Sequence, residues 1–314
     1  MMRTVAAALG LLAAAMTGAS AQTIGLATTQ GGATEQIATA LARTISDGTE
    51  LQVRPQVLAN TSQYLPLVDG GRVEFGIANF PQTANAIEGV GMSEGQPNPN
   101  IVMVASLIPF NAGLMATVES GIETPEDLAG KRVPRFPPNS LGDFIISATL
   151  EAGGLTYDDV TSVPMSNFPS MFQAIKDGQT DVTIASVGSQ PTFDIEATLG
   201  EVRFLDYAED DAEVLVAALP GTQLKSWEGL PDAPGISDQS VIFFYDYTLF
   251  ANKDVDAAVV TEVVRALYEG AESLKASGPL WNEFDPARLA SVTTLPYHSA
   301  AQAFYEEAGI WGGE

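Results

Sequence analysis

The chain has 314 residues, a formal net charge of −25 at pH 7, one histidine and no cysteine. This acidic excess repels nucleic acid and anionic lipid, which excludes both as partners. A chain with one histidine and no cysteine lacks the ligands of a common zinc site, so we expect neither a metal nor a cofactor.

Residues 1–21 have the pattern of an export leader rather than of a folded element. Arg3 precedes an apolar run from Thr4 to Met16, which is too short to span a bilayer. Ala19-Ser20-Ala21 then forms an A-x-A cleavage site before Gln22. Small residues follow the apolar run, which disfavours the alternative of a membrane anchor. We expect cleavage after Ala21, a periplasmic location and no direct membrane insertion.

The exported chain opens with a predicted strand, turn and helix. Thr23 to Ala27 is the strand, and a helix with a buried face follows from about Ala33 to Ser46. Between them lie Thr29, Gly31 and Gly32. Glycine lets backbone N–H groups approach a ligand closely at a helix start, although a bare Gly-Gly pair is equally compatible with an ordinary turn.

Two further strands are predicted to end at the same edge of the sheet. Leu51 to Val57 shows the alternating pattern of a strand, and Asn60 and Thr61 follow it. Phe75 to Ala78 is predicted to be a buried strand that ends just before Asn79. In an open α/β sheet, ligands bind at the carboxyl ends of the strands. Asn60, Thr61 and Asn79 are therefore candidate ligand contacts, or simply loop-forming residues.

Two long apolar runs are predicted to connect two lobes. Ile101 to Ile108 is interrupted at Pro109-Phe110-Asn111 and resumes to Val118, after which a β-α pattern restarts, and the aromatic run Val241 to Ala251 returns to the first lobe. We expect lobe I to comprise residues 22–108 and 246–314, and lobe II residues 109–245. Two crossing segments make a hinge with a closable cleft.

The turn of lobe II centres on a proline-rich loop between a strand and a helix. The strand runs from Arg132 to Phe136, and Asn139 and Ser140 are suited to cap a helix that starts at about Leu141. Unpaired N–H groups at such a helix start can bind a carboxylate. We expect the Arg135 guanidinium to donate two hydrogen bonds to a ligand carboxylate at the same site. The alternative is that Arg135 is a surface arginine.

A second contact from lobe II is predicted at Gly188-Ser189, between a strand and a helix. Phe136 and Tyr245 are either walls of the pocket or, more commonly for aromatic residues in such runs, core. His298 is expected to be structural, because it lies in the terminal segment away from any nucleophile motif. No catalytic residue is predicted.

Eight segments in sequence order resemble the solute receptors of the TAXI family, the extracytoplasmic components of one class of TRAP transporters. The segments are Gly31-Gly32, Asn60-Thr61, GGRVEFGIANF (Gly70 to Phe80), TPEDLAGKRV (Thr124 to Val133), PPNS (Pro137 to Ser140), LEAGGL (Leu150 to Leu155), AIKDGQTDVTI (Ala174 to Ile184) and LPYHSAAQAFYEEAG (Leu295 to Gly309).

The resemblance implies an α/β, two-lobed periplasmic binding protein, type II-like, with an interlobe cleft and hinge. It also implies capture of a small carboxylate, an amino acid or dicarboxylate, for TRAP membrane permease subunits; we expect the receptor to be a monomer. Ala33, Thr34 and Glu35 replace a region where the family commonly has two tyrosines, so the ligand differs from the best-known amino-acid cargo. The alternatives are a receptor for an ATP-driven uptake system and a secreted carboxylate-based hydrolase.

Overall fold

The computed structural model describes residues 22–227, 233–237, 240–291 and 294–312. The predicted leader and its cleavage site lie outside the described residues, apart from Gln22. The strands are β1 (Thr23–Thr29), β2 (Gln52–Leu58), β3 (Phe75–Asn79), β4 (Ile101–Thr117), β5 (Arg132–Arg135), β6 (Thr161–Pro164), β7 (Val182–Ser186), β8 (Val202–Phe204), β9 (Gln223–Ser226) and β10 (Val241–Asn252). The α-helices are α1 (Gly32–Gly48), α2 (Thr61–Asp69), α3 (Phe80–Glu88), α4 (Leu141–Ala152), α5 (Phe168–Lys176), α6 (Gln190–Leu199), α7 (Asp211–Ala218), α8 (Ala257–Glu269), α9 (Ala271–Lys275) and α10 (Ser299–Glu307).

One eight-stranded sheet runs through both predicted lobes, in the order β2-β1-β3-β10-β4-β7, with β8 beside β4 and β9 beside β10. β1 is parallel to β2 and β3, whereas β10 and β4 are antiparallel to their neighbours. A separate parallel pair, β5 and β6, carries the proline-rich turn of lobe II. The predicted α/β, two-lobed architecture is therefore present.

The two crossing segments are single strands, and this corrects the predicted interruption at Pro109-Phe110-Asn111. β4 is buried at every position except its last, and it continues through Pro109 opposite Asp246 of β10. A register irregularity between Asp246 and Thr248 lies at this point, and proline is tolerated in a sheet at such irregularities. The predicted lobe boundaries thus face each other across one strand pair, which is where we place the hinge.

The Asp246 carboxylate braces this crossing point. It accepts a hydrogen bond of 2.6 Å from the Ser106 hydroxyl, and its other oxygen lies 3.5 Å from the Arg288 guanidinium. Ser106 belongs to β4 and Arg288 to the C-terminal segment, so one carboxylate connects three parts of the chain where the lobes meet.

The helices α8 and α9 are separated by a single residue, Gly270. A side chain there would lie 2.5 Å from the Thr44 Cγ2 atom of α1, so the glycine permits close packing of the two elements. The inner face of α8 is apolar, because Val259, Val263 and Leu267 are buried.

A continuous apolar core includes Ile37 of α1, Ile145 of α4 and residues of the crossing strands. His298 is structural, as expected: its Nδ1 accepts from the Ala300 N–H at the start of α10, and its Nε2 lies 3.1 Å from the Val255 carbonyl oxygen. Within the described ranges, no helix has the length and apolar character needed to cross a membrane.

Candidate functional site

Two adjoining cavities lie between the lobes, and we call them together the interlobe crevice. The inner chamber, of about 40 Å³, is lined by residues that include Asn79, Phe110, Ser189 and Tyr247. The outer chamber, of about 140 Å³, is lined by residues that include Asn60, Thr61, Phe136, Asn139 and Ser140. The chambers share Thr29, Leu141 and Phe168.

The first-lobe turn joins β1 to α1 and forms one wall of the inner chamber. Gly31 has φ 73° and ψ 177°, a conformation that is essentially restricted to glycine. A Cβ atom at Gly31 would lie 2.8 Å from Cγ of Pro169 in lobe II, so the lobes approach closely here. The Gly31 N–H donates a hydrogen bond to the carboxylate of Glu35, which belongs to α1, so this N–H group is already paired.

The second-lobe turn joins β5 to α4 and forms a wall of the outer chamber. Ser140 caps α4 as predicted: its Oγ accepts from the Asp143 N–H at 3.4 Å and donates to the Pro137 carbonyl at 2.7 Å. Asn139 has a φ of 64°, a left-handed conformation that asparagine adopts more readily than most residues. The loop is thereby held in one shape beside the chamber.

The edge formed by β2 and β3 contributes amides and hydroxyls from lobe I. The Ser62 hydroxyl donates to Asn60 Oδ1 at 2.7 Å, and the Gln82 amide donates to Thr61 Oγ1 at 2.8 Å. Asn79 is 3 % exposed, and its Oδ1 has no hydrogen-bond partner among the described residues.

The β7–α6 connection places Ser189 in the inner chamber. Its hydroxyl lies 2.9 Å from Thr192 Oγ1, and the Thr192 hydroxyl donates to the Ser186 carbonyl at 2.7 Å. Gly188 is adjacent but lines a separate surface groove between α1 and α6. Ten of the predicted site residues therefore line the crevice or its neighbouring groove: Thr29, Gly31, Gly32, Asn60, Thr61, Asn79, Asn139, Ser140, Gly188 and Ser189.

Arg135, the eleventh predicted residue, does not line either chamber. Its guanidinium carbon lies 3.6 Å from the centroid of the Tyr157 ring, and its Nε lies 3.8 Å from the Asp143 carboxylate. The guanidinium is therefore occupied by a ring face and an acid of its own lobe. Arg135 is the last residue of β5, and the chamber wall begins one residue later at Phe136. The expected two-pronged contact of Arg135 with a ligand stays a prediction.

The crevice is lined by uncharged side chains and by the N-terminal ends of helices. Among the described residues, those that line the two chambers include no Asp, Glu, Lys, Arg or His. Six helices present a cap or first-turn residue to these walls, namely α1, α2, α3, α4, α5 and α6. Each helix N-terminus carries unpaired N–H groups and a partial positive charge, which favours an anion.

Neutral hydroxyls complete the walls. Burial raises the pKa of the Tyr247 phenol well above its usual range, against a smaller lowering by the Thr34 side chain. The phenol therefore stays protonated at neutral pH. No group of three or more His, Cys, Asp or Glu side chains that could hold a metal occurs in the described part of the chain.

The structure adds wall residues that the sequence patterns did not single out. Tyr247 lines the inner chamber, whereas the predicted candidate Tyr245 is core and stacks on Phe110 at a centroid distance of 5.2 Å. Phe136 lines the outer chamber, as one of its two interpretations predicted. Phe168 is the first residue of α5 and follows Asn167, a cap-type residue, so the same signal that identified Ser140 was present there.

Comparison with known families identifies the chain. The model of the NMT1-like family matches residues 26–309. This chain belongs to that family.

Solved structures with the same fold have low sequence identity to this chain. MatC from Rhodopseudomonas palustris, with bound malate, is 14% identical with a TM-score of 0.59, over 93% of this chain and 98% of that chain. A binding protein of an ABC phosphonate transporter from Pseudomonas aeruginosa is 11% identical with a TM-score of 0.55, over 84% and 81%. SsuA from Xanthomonas axonopodis pv. citri, bound to MOPS, is 15% identical with a TM-score of 0.51, over 92% and 91%.

Proposed function

We propose that this chain is an extracytoplasmic solute receptor that captures a small carboxylate between its lobes and delivers it to a membrane permease. One observation carries the proposal: six helix N-termini meet around two chambers lined, among the described residues, without an ionisable side chain. A site of this kind attracts negative charge, although Glu35 and Asp143 in the first turns of α1 and α4 partly offset the charge of their helix ends.

The local field can act against the charge of the whole protein. The chain carries a net charge of −25, which lowers the concentration of anions near its surface. Inside the crevice, backbone N–H groups at a carboxylate form charge-assisted hydrogen bonds, which are about twice as strong as neutral ones. Because these donors belong to both lobes, a carboxylate between them stabilises the closed form.

Two glycines make the close approach of the lobes possible. Gly31 of lobe I faces Pro169, and Gly221 of lobe II lies where a Cβ atom would be 2.5 Å from the Phe80 ring of lobe I. Both glycines have positive φ. We infer that closure brings the two turns together around the solute and excludes larger solutes.

We further propose that the permease is of the TRAP type, on the basis of the TAXI-like segments. An ATP-driven transporter is the second candidate, favoured by the fold shared with the binding protein of an ABC phosphonate transporter. Uptake of labelled solute into vesicles that contain the candidate permease separates them. Uptake that follows an ion gradient without ATP supports the TRAP type, and uptake that requires ATP supports the alternative.

Thermal unfolding with a panel of small acids tests the receptor function. We expect one or more carboxylates to raise the melting temperature, because a ligand at 100 times its Kd stabilises the folded state by about 2.7 kcal/mol. Propanesulfonate and methylphosphonate serve as comparisons of the anionic group. A panel without any stabilising acid contradicts the proposal, and steady release of product from ester or glycoside substrates supports the hydrolase instead.

A further inference from the structure

Asn79 lines the inner chamber, and its buried side-chain oxygen has no hydrogen-bond partner in the described structure. Asn79 ends β3, precedes α3 and is 3 % exposed. Its backbone is already paired, because the N–H donates to Gln82 Oε1 at 3.4 Å and the carbonyl accepts from the Thr83 hydroxyl at 3.3 Å. Buried polar atoms are almost always hydrogen-bonded, so this oxygen is the exception that needs a partner.

We propose that Asn79 is a specificity-determining residue that accepts a hydrogen bond from a hydroxyl group of the solute, and that the solute is accordingly a hydroxy-carboxylate. This inference rests on the proposed function, since it assumes that a carboxylate occupies the crevice. A solute without a donor leaves the Asn79 oxygen unpaired when the lobes close, and that loss is what the receptor discriminates against.

The walls favour a hydroxyl over an ammonium group as the donor. An ammonium group needs a carboxylate or several carbonyl groups to balance its charge when it is removed from water. The described residues that line the two chambers include no Asp or Glu, and the surrounding helix N-termini repel a cation. A hydroxyl donates to Asn79 without adding positive charge, so amino acids are disfavoured relative to hydroxy acids.

Matched pairs of acids test the inference. Isothermal titration of the purified protein, stripped of bound solute by unfolding and refolding, compares malate with succinate, lactate with propionate, and malate with aspartate. Within the pair that binds, we expect the hydroxy acid to bind about tenfold more tightly than its deoxy analogue, the upper range for one neutral hydrogen bond. Malate should also bind more tightly than aspartate.

The variant Asn79→Ala should reduce the preference for the hydroxy acid to about twofold or less, while the deoxy acid keeps its affinity. The side-chain oxygen of Asn79 faces the Gln82 N–H in the capping box of α3 without forming a hydrogen bond to it, so Asn79→Ala also weakens the start of this helix, and the melting temperature of the variant is measured beside its affinity. Asn79→Ser, which keeps a small acceptor, covers the case in which the alanine variant fails to fold, and should retain part of the preference. The exposed Asn282→Ala is the matched control and should retain all of it.

The possible outcomes separate the role of Asn79 and the solute class from the receptor function itself. Equal affinity for hydroxy and deoxy acids, or a preference that survives Asn79→Ala, overturns the role of Asn79 and leaves the receptor function intact. Tighter binding of aspartate than malate overturns the hydroxy-carboxylate class. A folded protein that binds none of the acids overturns the receptor function together with this inference.

Discussion

The two turns that face each other across the crevice meet the same requirement with different chemistry. The first-lobe turn uses Gly31 to bring the backbone against the opposite lobe, and the second-lobe turn uses the Ser140 cap to hold a stiff proline loop. Each helix also has an acid in its first turn, Glu35 in α1 and Asp143 in α4. The difference lies in how these two acids are compensated.

Glu35 accepts from the Gly31 N–H and has no ion-pair partner among the described residues, so its charge opposes an anion at α1. Asp143 lies 3.8 Å from Arg135 and accepts from the Tyr157 hydroxyl at 3.1 Å, so its charge is partly balanced. We infer that Arg135 favours the ligand indirectly, by compensating Asp143 at the start of α4. The second-lobe turn is then the more attractive of the two to a carboxylate.

The largest expected effect is that of Gly31→Ala. A side chain there is strained by the backbone conformation, which costs about 1–3 kcal/mol, and it collides with Pro169 of the other lobe. We expect carboxylate affinity to fall about tenfold or more, as measured by calorimetry, because 1.4 kcal/mol corresponds to about tenfold in a binding constant. The melting temperature should fall as well.

Gly154→Ala provides the control for backbone strain. Gly154 has a φ of 67°, and a Cβ atom there would contact nothing within 4 Å. We expect this variant to lose stability and keep its affinity. Equal losses of affinity in the two variants would show that the approach of Gly31 to lobe II has no role in binding.

The next effect is a gain of affinity in Glu35→Gln. Glutamine keeps an oxygen that can accept from the Gly31 N–H but removes the negative charge from the first turn of α1. Such a charge is worth about 0.3–1 kcal/mol at a helix end, so carboxylates should bind about two- to fivefold more tightly at low salt. The gain should shrink as the salt concentration rises.

Glu196→Gln, near the C-terminal end of α6, removes the same charge away from the crevice. This control separates a local effect at α1 from the general reduction in net charge. A gain of the same size in both variants would contradict the assignment of Glu35 to the ligand field.

The smallest effect is expected for Arg135→Ala, which should weaken carboxylate binding about two- to threefold by leaving Asp143 uncompensated near α4. A direct bidentate contact would instead cost about 1.5–3 kcal/mol, the range for hydrogen bonds to charged groups. The double variant Arg135→Ala/Asp143→Asn should recover wild-type affinity in the titration. A large loss that the double variant does not recover would restore Arg135 as a ligand contact.

Local patterns were sufficient for most of the elements and for the neighbourhood of the site. The 3.6-residue spacing of Ile37, Leu41 and Ile45 predicted α1, and the cap chemistry of Ser140 predicted the start of α4. Asn60, Thr61 and Asn79 were expected at one sheet edge because parallel strands end at a common edge, and all three line the crevice, whereas their contact with a ligand stays a prediction. These inferences succeed because helix spacing, capping and strand ends depend on residues that are close in sequence.

Other features depend on contacts between distant segments. The continuity of β4 through Pro109 requires Asp246 of β10, and the division of the last long helix at Gly270 requires close packing on Thr44. The choice of Tyr247 over Tyr245 for the chamber wall depends on which face of β10 meets the crevice. No local pattern contains that information.

The sequence by itself determined the α/β class, the two crossing segments and the loops that line the crevice, because these follow from periodicity and from residue types at helix ends. The tertiary structure alone decided which polar groups meet in the crevice. It paired Arg135 with Asp143 and left Asn79 Oδ1 without a partner among the described residues. The physical reason is that the availability of a charge or a hydrogen bond depends on every group that packs around it.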